Sequence, residues 1–307
     1  MSSIPKSNTA RDNSADSPVK KGMPGWLKLL LKLVVSGGCL WYVGQKIDWA
    51  DTWRLLKTSN VLWLLFATLF FVLSKVVSSF RLNLYFRNIA VHLSEMVNLK
   101  LNWLSLFYNL FLPGGIGGDA YKVILLNKRY PGTGARKLTA AVFLDRVSGV
   151  AGLGILAAVF YFLVFQPAWH AWALVVSIVP GVFIFLFVVK KWFPSFVSSF
   201  FPTLWYGLAV QLLQVICVFG IMQSIGIHHH FAEFQLLFLV SSIVSILPFT
   251  IGGLGAREVV FLWGSQQFSL VQSEAIFISL LFYLITLVSS LVGIYWVYKS
   301  PFDDNEK

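Results

Sequence analysis

Long apolar runs separated by short polar segments occupy the chain from residue 26 to residue 300. Six of these runs are long enough to cross a hydrocarbon core of roughly 30 Å as helices. They are residues 27–43, 61–80, 138–165, 171–189, 204–225 and 275–298. The apolar positions are continuous and do not alternate with polar ones, which excludes an outer-membrane barrel. The pattern therefore predicts an all-α, polytopic membrane protein with six full spans.

Two further apolar segments are too short to cross the membrane. As helices, residues 99–112 would measure about 21 Å and residues 233–247 about 22 Å. Each is followed by a segment rich in Pro and Gly and then by a second short apolar piece, residues 121–126 and 259–263. This order is typical of a re-entrant helical hairpin, in which the chain returns to the side from which it entered. We therefore expect two such hairpins.

The two Pro/Gly segments carry the same pattern, L-P-x-x-I-G-G, at residues 112–118 and 247–253. A cation follows the last glycine by four residues in both copies, Lys122 in the first and Arg257 in the second. Hydrocarbon cannot satisfy the backbone groups freed by such a break, so breaks persist only inside protein or beside a water-filled cavity. Paired breaks in two halves of a chain are typical of a transporter's substrate site.

The distribution of cations predicts the orientation of the chain. If the amino terminus is cytoplasmic and both hairpins return to their own side, the cytoplasmic segments hold fifteen Lys and Arg, including Arg81 and Lys122. The outer segments hold four: Lys46, Arg54, Lys57 and Arg257. Cytoplasmic loops are enriched in cations, so both termini are expected in the cytoplasm. The first hairpin then lies on the cytoplasmic side and the second on the outer side, which predicts an inverted repeat.

Composition agrees with this class. The chain is 57% hydrophobic and 12% charged, whereas soluble domains are about a quarter charged. Residues 1–25 are expected to form a disordered cytoplasmic tail, residues 26–300 a single transmembrane domain, and residues 301–307 a short cytoplasmic tail. The net charge of +11 is explained by the cytoplasmic loops and by anionic lipid headgroups, so a nucleic-acid partner is not expected.

The first break offers backbone and side-chain groups for an anion. Its glycines, Gly114, Gly115, Gly117 and Gly118, would let a ligand approach the backbone, and a half-helix starting near Asp119 would aim N–H groups at a phosphate. A kink packed by small residues is the structural alternative. Asp119 would cap the half-helix or pair with a cation in the cavity. Lys122 would bind a headgroup phosphate or lie in the cytoplasmic interface.

The second break offers a comparable set. Its candidate residues are Thr250, Gly252, Gly253, Arg257 and Glu258. Arginine is the side chain best suited to bidentate phosphate recognition, and Arg257 would lie at the opposite end of the cavity from Lys122. Snorkelling to the interface is the alternative for Arg257.

Three further ionisable residues fall within predicted spans. Asp145 and Arg146 lie in the span 138–165, where charges usually face the bundle interior and mark a pathway or an ion pair. Neighbours in a helix point apart, so we expect Asp145 near Lys122 or Arg257 and Arg146 near a carboxylate or a substrate phosphate. Lys75 is expected to snorkel to the cytoplasmic face, with a cavity role as the alternative.

No catalytic or cofactor motif accompanies these residues. The first break is not a Walker loop, since Gly118 is followed by Asp119, Ala120 and Tyr121. No Ser/His/Asp arrangement or HExxH motif occurs, and three successive histidines, 228–230, do not share a helix face for a metal. We therefore expect no cofactor, no metal and no enzyme activity.

Three segments resemble a known family: L-P-G-G-I-G-G-D at residues 112–119, Asp145-Arg146 with Gly149, and I-G-G-L-G-A-R-E at residues 251–258. They resemble the flippase-like transmembrane region of lysylphosphatidylglycerol synthases, over about residues 26–300. The family element often has Glu in place of Asp145. The resemblance implies a multi-pass protein of a bacterial or archaeal plasma (inner) membrane that moves lipids between leaflets. The aminoacyl-transfer domain of the full synthases is not expected here.

The sequence hypothesis is translocation of an anionic phospholipid or a lipid-linked headgroup. Lys122 and Arg257 would hold the phosphate at the two ends of the cavity. Asp145 and Arg146 would gate the cavity or neutralise charge within it. An accessory subunit of a glycosyltransferase or lipid-modifying system, and an integral-membrane lipid-phosphate transferase, remain alternatives. Membrane lipids are the expected partners, and homo-oligomerisation is left open.

Overall fold

The computed structural model describes residues 49–111, 116–246, 250 and 253–302, together with residues 34, 37–38, 41–42 and 44–45. The regular elements of this part of the chain are helices. Their bounds are α1 Trp49–Thr58, α2 Val61–Arg87, α3 Glu95–Phe111, α4 Gly117–Arg129, α5 Ala135–Phe165, α6 Trp169–Val176, α7 Ile178–Trp192, α8 Phe200–Ser224, α9 Phe231–Ile246, α10 Ala256–Gln267, α11 Gln272–Leu291 and α12 Tyr295–Tyr298. Short 3-10 turns lead into α8 and into α12.

Five helical segments of the described chain are long and apolar enough to cross a membrane. They are Val61–Arg87, Ala135–Phe165, Trp169–Trp192, Pro194–Ser224 and Gln272–Tyr298. Four of them contain a span predicted from the sequence, and Pro194–Ser224 covers the predicted span 204–225 except its last residue, so a helical, multi-pass membrane protein is confirmed. The remaining predicted span, residues 27–43, lies almost entirely outside the described residues.

Helix α2 continues seven residues beyond the end predicted at Phe80, because its polar end is buried against other helices. The Asn83 amide donates hydrogen bonds to the Leu93 carbonyl at 3.1 Å and to the Glu95 carboxylate at 2.8 Å. Arg81 lies on this buried extension and is 4% exposed. Arg81, counted from the sequence among the cations of the cytoplasmic segments, therefore lies in a helix and is buried against neighbouring helices.

The two predicted pairs of half-helices are present as packed pairs. Helix α3 packs on α4, and α9 packs on α10; these are called here the first and second helix pairs. The two helices of each pair are called its arms. At most ends they extend a few residues beyond the predicted bounds; α3 begins at Glu95, not at residue 99, and α9 at Phe231, not at residue 233. The tips, residues 112–115, 247–249 and 251–252, lie outside the described residues, and so do the candidate residues Gly114, Gly115 and Gly252.

Packing between the two halves is reciprocal. The long helix before the first pair is α2, and the long helix before the second pair is α8. These two helices pack on each other, and theirs is the most extensive helix contact of the described chain. The helix after the first pair, α5, packs on the first arm of the second pair, α9. The helix after the second pair, α11, packs on the first arm of the first pair, α3. Equivalent elements therefore make equivalent contacts.

The buried apolar side chains form two clusters, one for each half. One contains residues of α9, α10 and α11 together with the amino-terminal half of α2. The other contains residues of α3 and α4 with the carboxyl-terminal half of α2 and the start of α5. Because α2, α5 and α8 contribute to both clusters, these three helices hold the two helix pairs in one bundle.

Glycines make the crossing of α5 and α8 possible. A Cβ atom at Gly152 would lie 2.7 Å from the Gly207 carbonyl carbon, and one at Gly207 would lie 2.6 Å from the Ser148 carbonyl oxygen. Small residues at such crossings let helix backbones approach closely in membranes. Gly152 therefore serves close packing, whereas a Cβ atom at Gly154 would meet no described atom within 4 Å.

Candidate anion site and its charge network

Gly118 joins the two arms of the first helix pair. Its N–H donates to the Asn109 side-chain oxygen at 2.9 Å, and its carbonyl accepts from the Ser105 hydroxyl at 2.9 Å. A Cβ atom at this position would lie 2.0 Å from the Ser105 carbonyl oxygen. The glycine therefore serves close packing here, and its N–H, expected to be free for a phosphate, is already bonded. Gly117 begins α4 beside it.

Asp119 pairs with cations and does not cap α4. The capping position belongs to Ile116, which makes no side-chain cap, so the interpretation of Asp119 as a cap is wrong. Its carboxylate accepts a hydrogen bond from the Arg146 guanidinium and lies 4.0 Å from the Lys122 ammonium. The reason is geometric, because Asp119 is the third residue of α4, one turn before Lys122, and its carboxylate reaches Arg146 in the first half of α5. The expectation that Arg146 approaches a carboxylate is confirmed.

Lys122 is buried in this network. Its side chain is 2% exposed, and its ammonium donates to the Asn102 side-chain oxygen at 3.4 Å as well as facing Asp119. A lysine is almost never buried unless it is paired. Lys122 therefore lies inside the helix bundle with its counter-charge supplied by the protein, and the alternative of an exposed interfacial position is wrong.

Asp145 binds Arg81 across α5 and α2. The Arg81 Nε and Nη2 atoms donate to the two carboxylate oxygens of Asp145 at 2.7 and 3.1 Å. Asp145 lies close enough to Lys122 to interact with its charge, as expected, but its direct partner is Arg81, a nearer cation that the buried extension of α2 provides. The third guanidinium nitrogen, Nη1, has no hydrogen-bond partner. It fits beside Gly149, where a Cβ atom would lie 3.1 Å away.

The second helix pair uses two glycines to turn into α10. Gly253 and Gly255 both have φ of 86°, in the left-handed region that favours glycine. The Glu258 carboxylate accepts from the Gly255 N–H at 2.6 Å and from the Ser279 hydroxyl at 2.8 Å. Glu258 is fully buried and thus fixes the start of α10 against α11. It was a candidate substrate ligand, but both its oxygens have protein donors.

Arg257 makes no salt bridge within the described chain, and the charge of Glu258, its neighbour in sequence, acts on it only at a distance. Its guanidinium donates to the Ser245 hydroxyl at 3.2 Å and lies over the Phe282 ring, 4.9 Å from the centroid. Within the described chain, no carboxylate oxygen lies within 4.0 Å of it. Gly253 makes room for this side chain, because a Cβ atom there would lie 3.2 Å from the Arg257 Nε atom. Arg257 is half-buried among apolar helices and open to an anion.

Lys75 was not among the predicted site residues, and the structure brings it to the same region. Its ammonium lies 4.5 Å from the centroid of the Phe71 ring. That ring meets the Phe282 ring edge to face, with centroids 5.6 Å apart. Lys75 therefore lies inside the bundle, and snorkelling along the lipid face does not describe it. Its place near the middle of an apolar run was the sequence signal that could have found it.

The two helix pairs differ at one equivalent position. Lys122 and Arg257 both follow the last glycine by four residues, but Asp119 directly follows the glycine in the first pair and Leu254 does so in the second. The first cation has its own carboxylate, and the second has none within the described residues. Thr250, before the second glycine pair, is 6% exposed, and its hydroxyl has no hydrogen-bond partner among the residues that the structure describes.

Comparisons with known proteins agree with the helical membrane fold. The family described as the lysylphosphatidylglycerol synthase TM region matches residues 29–293. A UPF0104 membrane protein of Pyrococcus horikoshii is 25% identical over 168 residues, which are 54% of this chain and 48% of that protein. The chain thus spans about half the length of this curated relative.

Proposed function

The chain belongs to the family of the lysylphosphatidylglycerol synthase TM region, and on that premise we propose that it moves an anionic phospholipid, or a lipid-linked anionic headgroup, between the two leaflets of the plasma membrane. The observation that carries this proposal is Arg257. A cation without a counter-charge is costly among apolar helices, and such residues mark substrate pathways in membrane proteins. A passing phosphate would supply the missing charge.

The path would run between the two helix pairs. Each pair would re-enter the membrane and return to its own side, the first from the cytoplasm and the second from outside. The reciprocal packing of the two halves supports this inverted arrangement, since α2 and α8, α5 and α11, and the two pairs occupy equivalent places. Inverted repeats with broken helices at their interface are a common transporter design.

Lys122 and Arg257 would serve the two ends of the path. In the described conformation Lys122 faces Asp119, whereas Arg257 faces no carboxylate. The Arg257 end is therefore ready to receive an anion and the Lys122 end is neutralised. Release of Asp119 from Lys122, with Arg146 keeping its hold on the carboxylate, would open the second end. The Arg81–Asp145 pair would hold α2 and α5 in register during this exchange.

Nothing in this scheme requires bond chemistry. The protein would bind, neutralise and release a headgroup, and movement would follow the lipid gradient or the entry of a coupled ion. Asp119 would be the proton acceptor in the coupled case, since protonation would release Lys122. These assignments extend the lipid-related membrane role that the family supports.

Translocation in reconstituted liposomes tests the proposal. Liposomes with and without the protein would carry fluorescent phosphatidylglycerol or fluorescent phosphatidylcholine, and a membrane-impermeant quencher would report the fraction of each lipid in the outer leaflet. We expect the protein to accelerate exchange of phosphatidylglycerol and to leave phosphatidylcholine slow. Equal rates with folded protein and with empty liposomes, for both lipids, would contradict the proposal.

A further inference from the structure

We infer that Lys75 and Arg257 together form one binding site for the phosphate of a lipid headgroup, selective for a phosphodiester without a neighbouring amine. The inference names the substrate class of the site proposed above and rests on that proposal only for the statement that the bound lipid is then moved. In the described conformation Lys122 takes no part in this binding. The chemistry that recognises the ligand is a single phosphate charge between two cations.

The two cations are held by one pair of aromatic rings. Lys75 lies over Phe71, Arg257 lies over Phe282, and the two rings meet edge to face. Ring faces attract cations, most strongly where water is scarce, so each charge is kept in place without being neutralised. Lys75 lies on α2, and Arg257 lies at the start of α10. The site therefore joins α2 to the second Pro/Gly break.

The two charges are close enough to repel each other. Neither has a carboxylate within 4.0 Å in the described part of the chain. Coulomb repulsion is strong where the surroundings are apolar. An anion that contacts both side chains would remove that repulsion and replace lost hydration at the same time. The arrangement is thus stable with its ligand and strained without it.

Hydroxyl groups complete the site. Ser245 accepts a hydrogen bond from Arg257 and donates its own to the Ser242 carbonyl at 2.8 Å. The buried Thr250 hydroxyl belongs to the same break and lacks a partner among the described residues. A buried polar group without a partner is costly, and we assign this hydroxyl to the site because Thr250 lies seven residues before Arg257 in the same break. Arginine, lysine and hydroxyl donors are a standard phosphate-binding set.

Charge balance specifies the headgroup. Glu258 is the carboxylate adjacent to Arg257, and its two oxygens are held by Gly255 and Ser279. Lys75, Arg257 and an ionised Glu258 sum to a single positive charge, which one phosphodiester neutralises. A headgroup with an ammonium beside its phosphate would bring a further cation to two that already repel. Phosphatidylglycerol therefore fits, and choline or ethanolamine lipids fit poorly.

Binding by native mass spectrometry in a neutral detergent tests the inference, with short-chain phosphatidylglycerol and phosphatidylcholine as probes. Lys75→Gln and Arg257→Gln should each weaken phosphatidylglycerol binding about tenfold, the loss of one charge-assisted contact. Lys75→Arg and Arg257→Lys should retain most of it. Arg54→Gln, which removes a cation from a side chain that is 74% exposed, should leave binding within about twofold.

Three results would overturn the inference. The first is unchanged phosphatidylglycerol binding in folded Lys75→Gln and in folded Arg257→Gln. The second is equal binding of the two lipids to the wild-type protein. The third is displacement of phosphatidylglycerol by an equal concentration of soluble glycerol phosphate, which would assign the site to a free phosphate ester. Lys75→Met, which keeps the apolar stem, replaces Lys75→Gln if the latter fails to elute as folded protein.

The same measurement separates this inference from the proposed function. A wild-type protein that binds phosphatidylglycerol through Lys75 and Arg257, yet moves no lipid in liposomes, would retain the site and refute translocation. A protein that moves lipid while binding is insensitive to both substitutions would retain translocation and refute the site.

Discussion

At the scale of residues, the charged side chains of this protein fall into a neutralised set and an open set. Arg81 with Asp145, and Arg146 and Lys122 with Asp119, supply each other's counter-charges. Arg257 is the cation that the described structure leaves beside a hydroxyl and a ring. The neutralised pairs should act on stability, and the open cation should act on the ligand.

The Arg81–Asp145 salt bridge should stabilise the fold, and the effects of substituting its two side chains should be coupled. Asp145→Asn leaves a buried guanidinium without its carboxylate, and breaking a buried pair in this way costs about 3–5 kcal/mol. We expect Asp145→Asn and Arg81→Gln each to lower the thermal unfolding temperature in detergent. The double variant should recover part of the loss, and independent, additive losses would contradict direct pairing.

Sequence reasoning identified most of these residues but not their partners. Asp145 and Arg146 were singled out because charges in an apolar run are unusual. Their partners could not be predicted, since Arg81 is 64 positions away from Asp145 and was counted among the cytoplasmic segments on hydropathy alone. Hydropathy ends a helix where polar residues begin, and it cannot sense that Asn83 and Arg81 have buried partners.

At the scale of elements, the Pro/Gly breaks and the glycines beside them shape the two helix pairs. The repeated motif predicted both pairs, and the described arms begin and end within four residues of the predicted ones at most ends. The motif could not show which glycine packs against a backbone and which makes room for a charged side chain. Gly118 faces a backbone carbonyl, whereas Gly253 faces Ser245 and Arg257.

Alanine substitutions should separate these roles. Gly118→Ala places a methyl group 2.0 Å from the Ser105 carbonyl oxygen, and overpacking of this kind costs about 1–3 kcal/mol or more. We expect a clear fall in the unfolding temperature of Gly118→Ala. Gly154→Ala, which meets no atom within 4 Å, is the matched control and should melt like the wild type. A normal melting temperature for Gly118→Ala would refute the close packing of α3 on α4.

At the scale of the whole molecule, α2 packs on α8, and the helix after each pair packs on the first arm of the other pair. The sequence predicted the repeat from its two motifs and its cation distribution. It could not predict which helices meet, because apolar lipid-facing and protein-facing surfaces look alike in composition. Small residues such as Gly207, which contacts α5, indicate a helix crossing only when the partner helix is known.

Cysteine labelling from the two sides of the membrane tests the inverted, re-entrant topology. His92 and Gly132 flank the first helix pair, and His229 and Gln267 flank the second; all four are exposed. In a Cys39→Ser background we expect cysteines at 92 and 132 to react only from the cytoplasm and those at 229 and 267 only from outside. The buried Cys217 should stay unlabelled. Labelling of 229 and 267 from opposite sides would show that the second pair spans the membrane.

The most direct test of the central claim, that the open cation at the second break carries an anionic headgroup, is the phosphatidylglycerol translocation rate of three variants in liposomes. Arg257→Gln should lower the rate at least about tenfold, by loss of a charge-assisted contact. Arg257→Lys should retain a substantial rate. Arg54→Gln removes the same charge from an exposed side chain that is 74% accessible and should move lipid like the wild type. Unchanged translocation by folded Arg257→Gln would contradict the account.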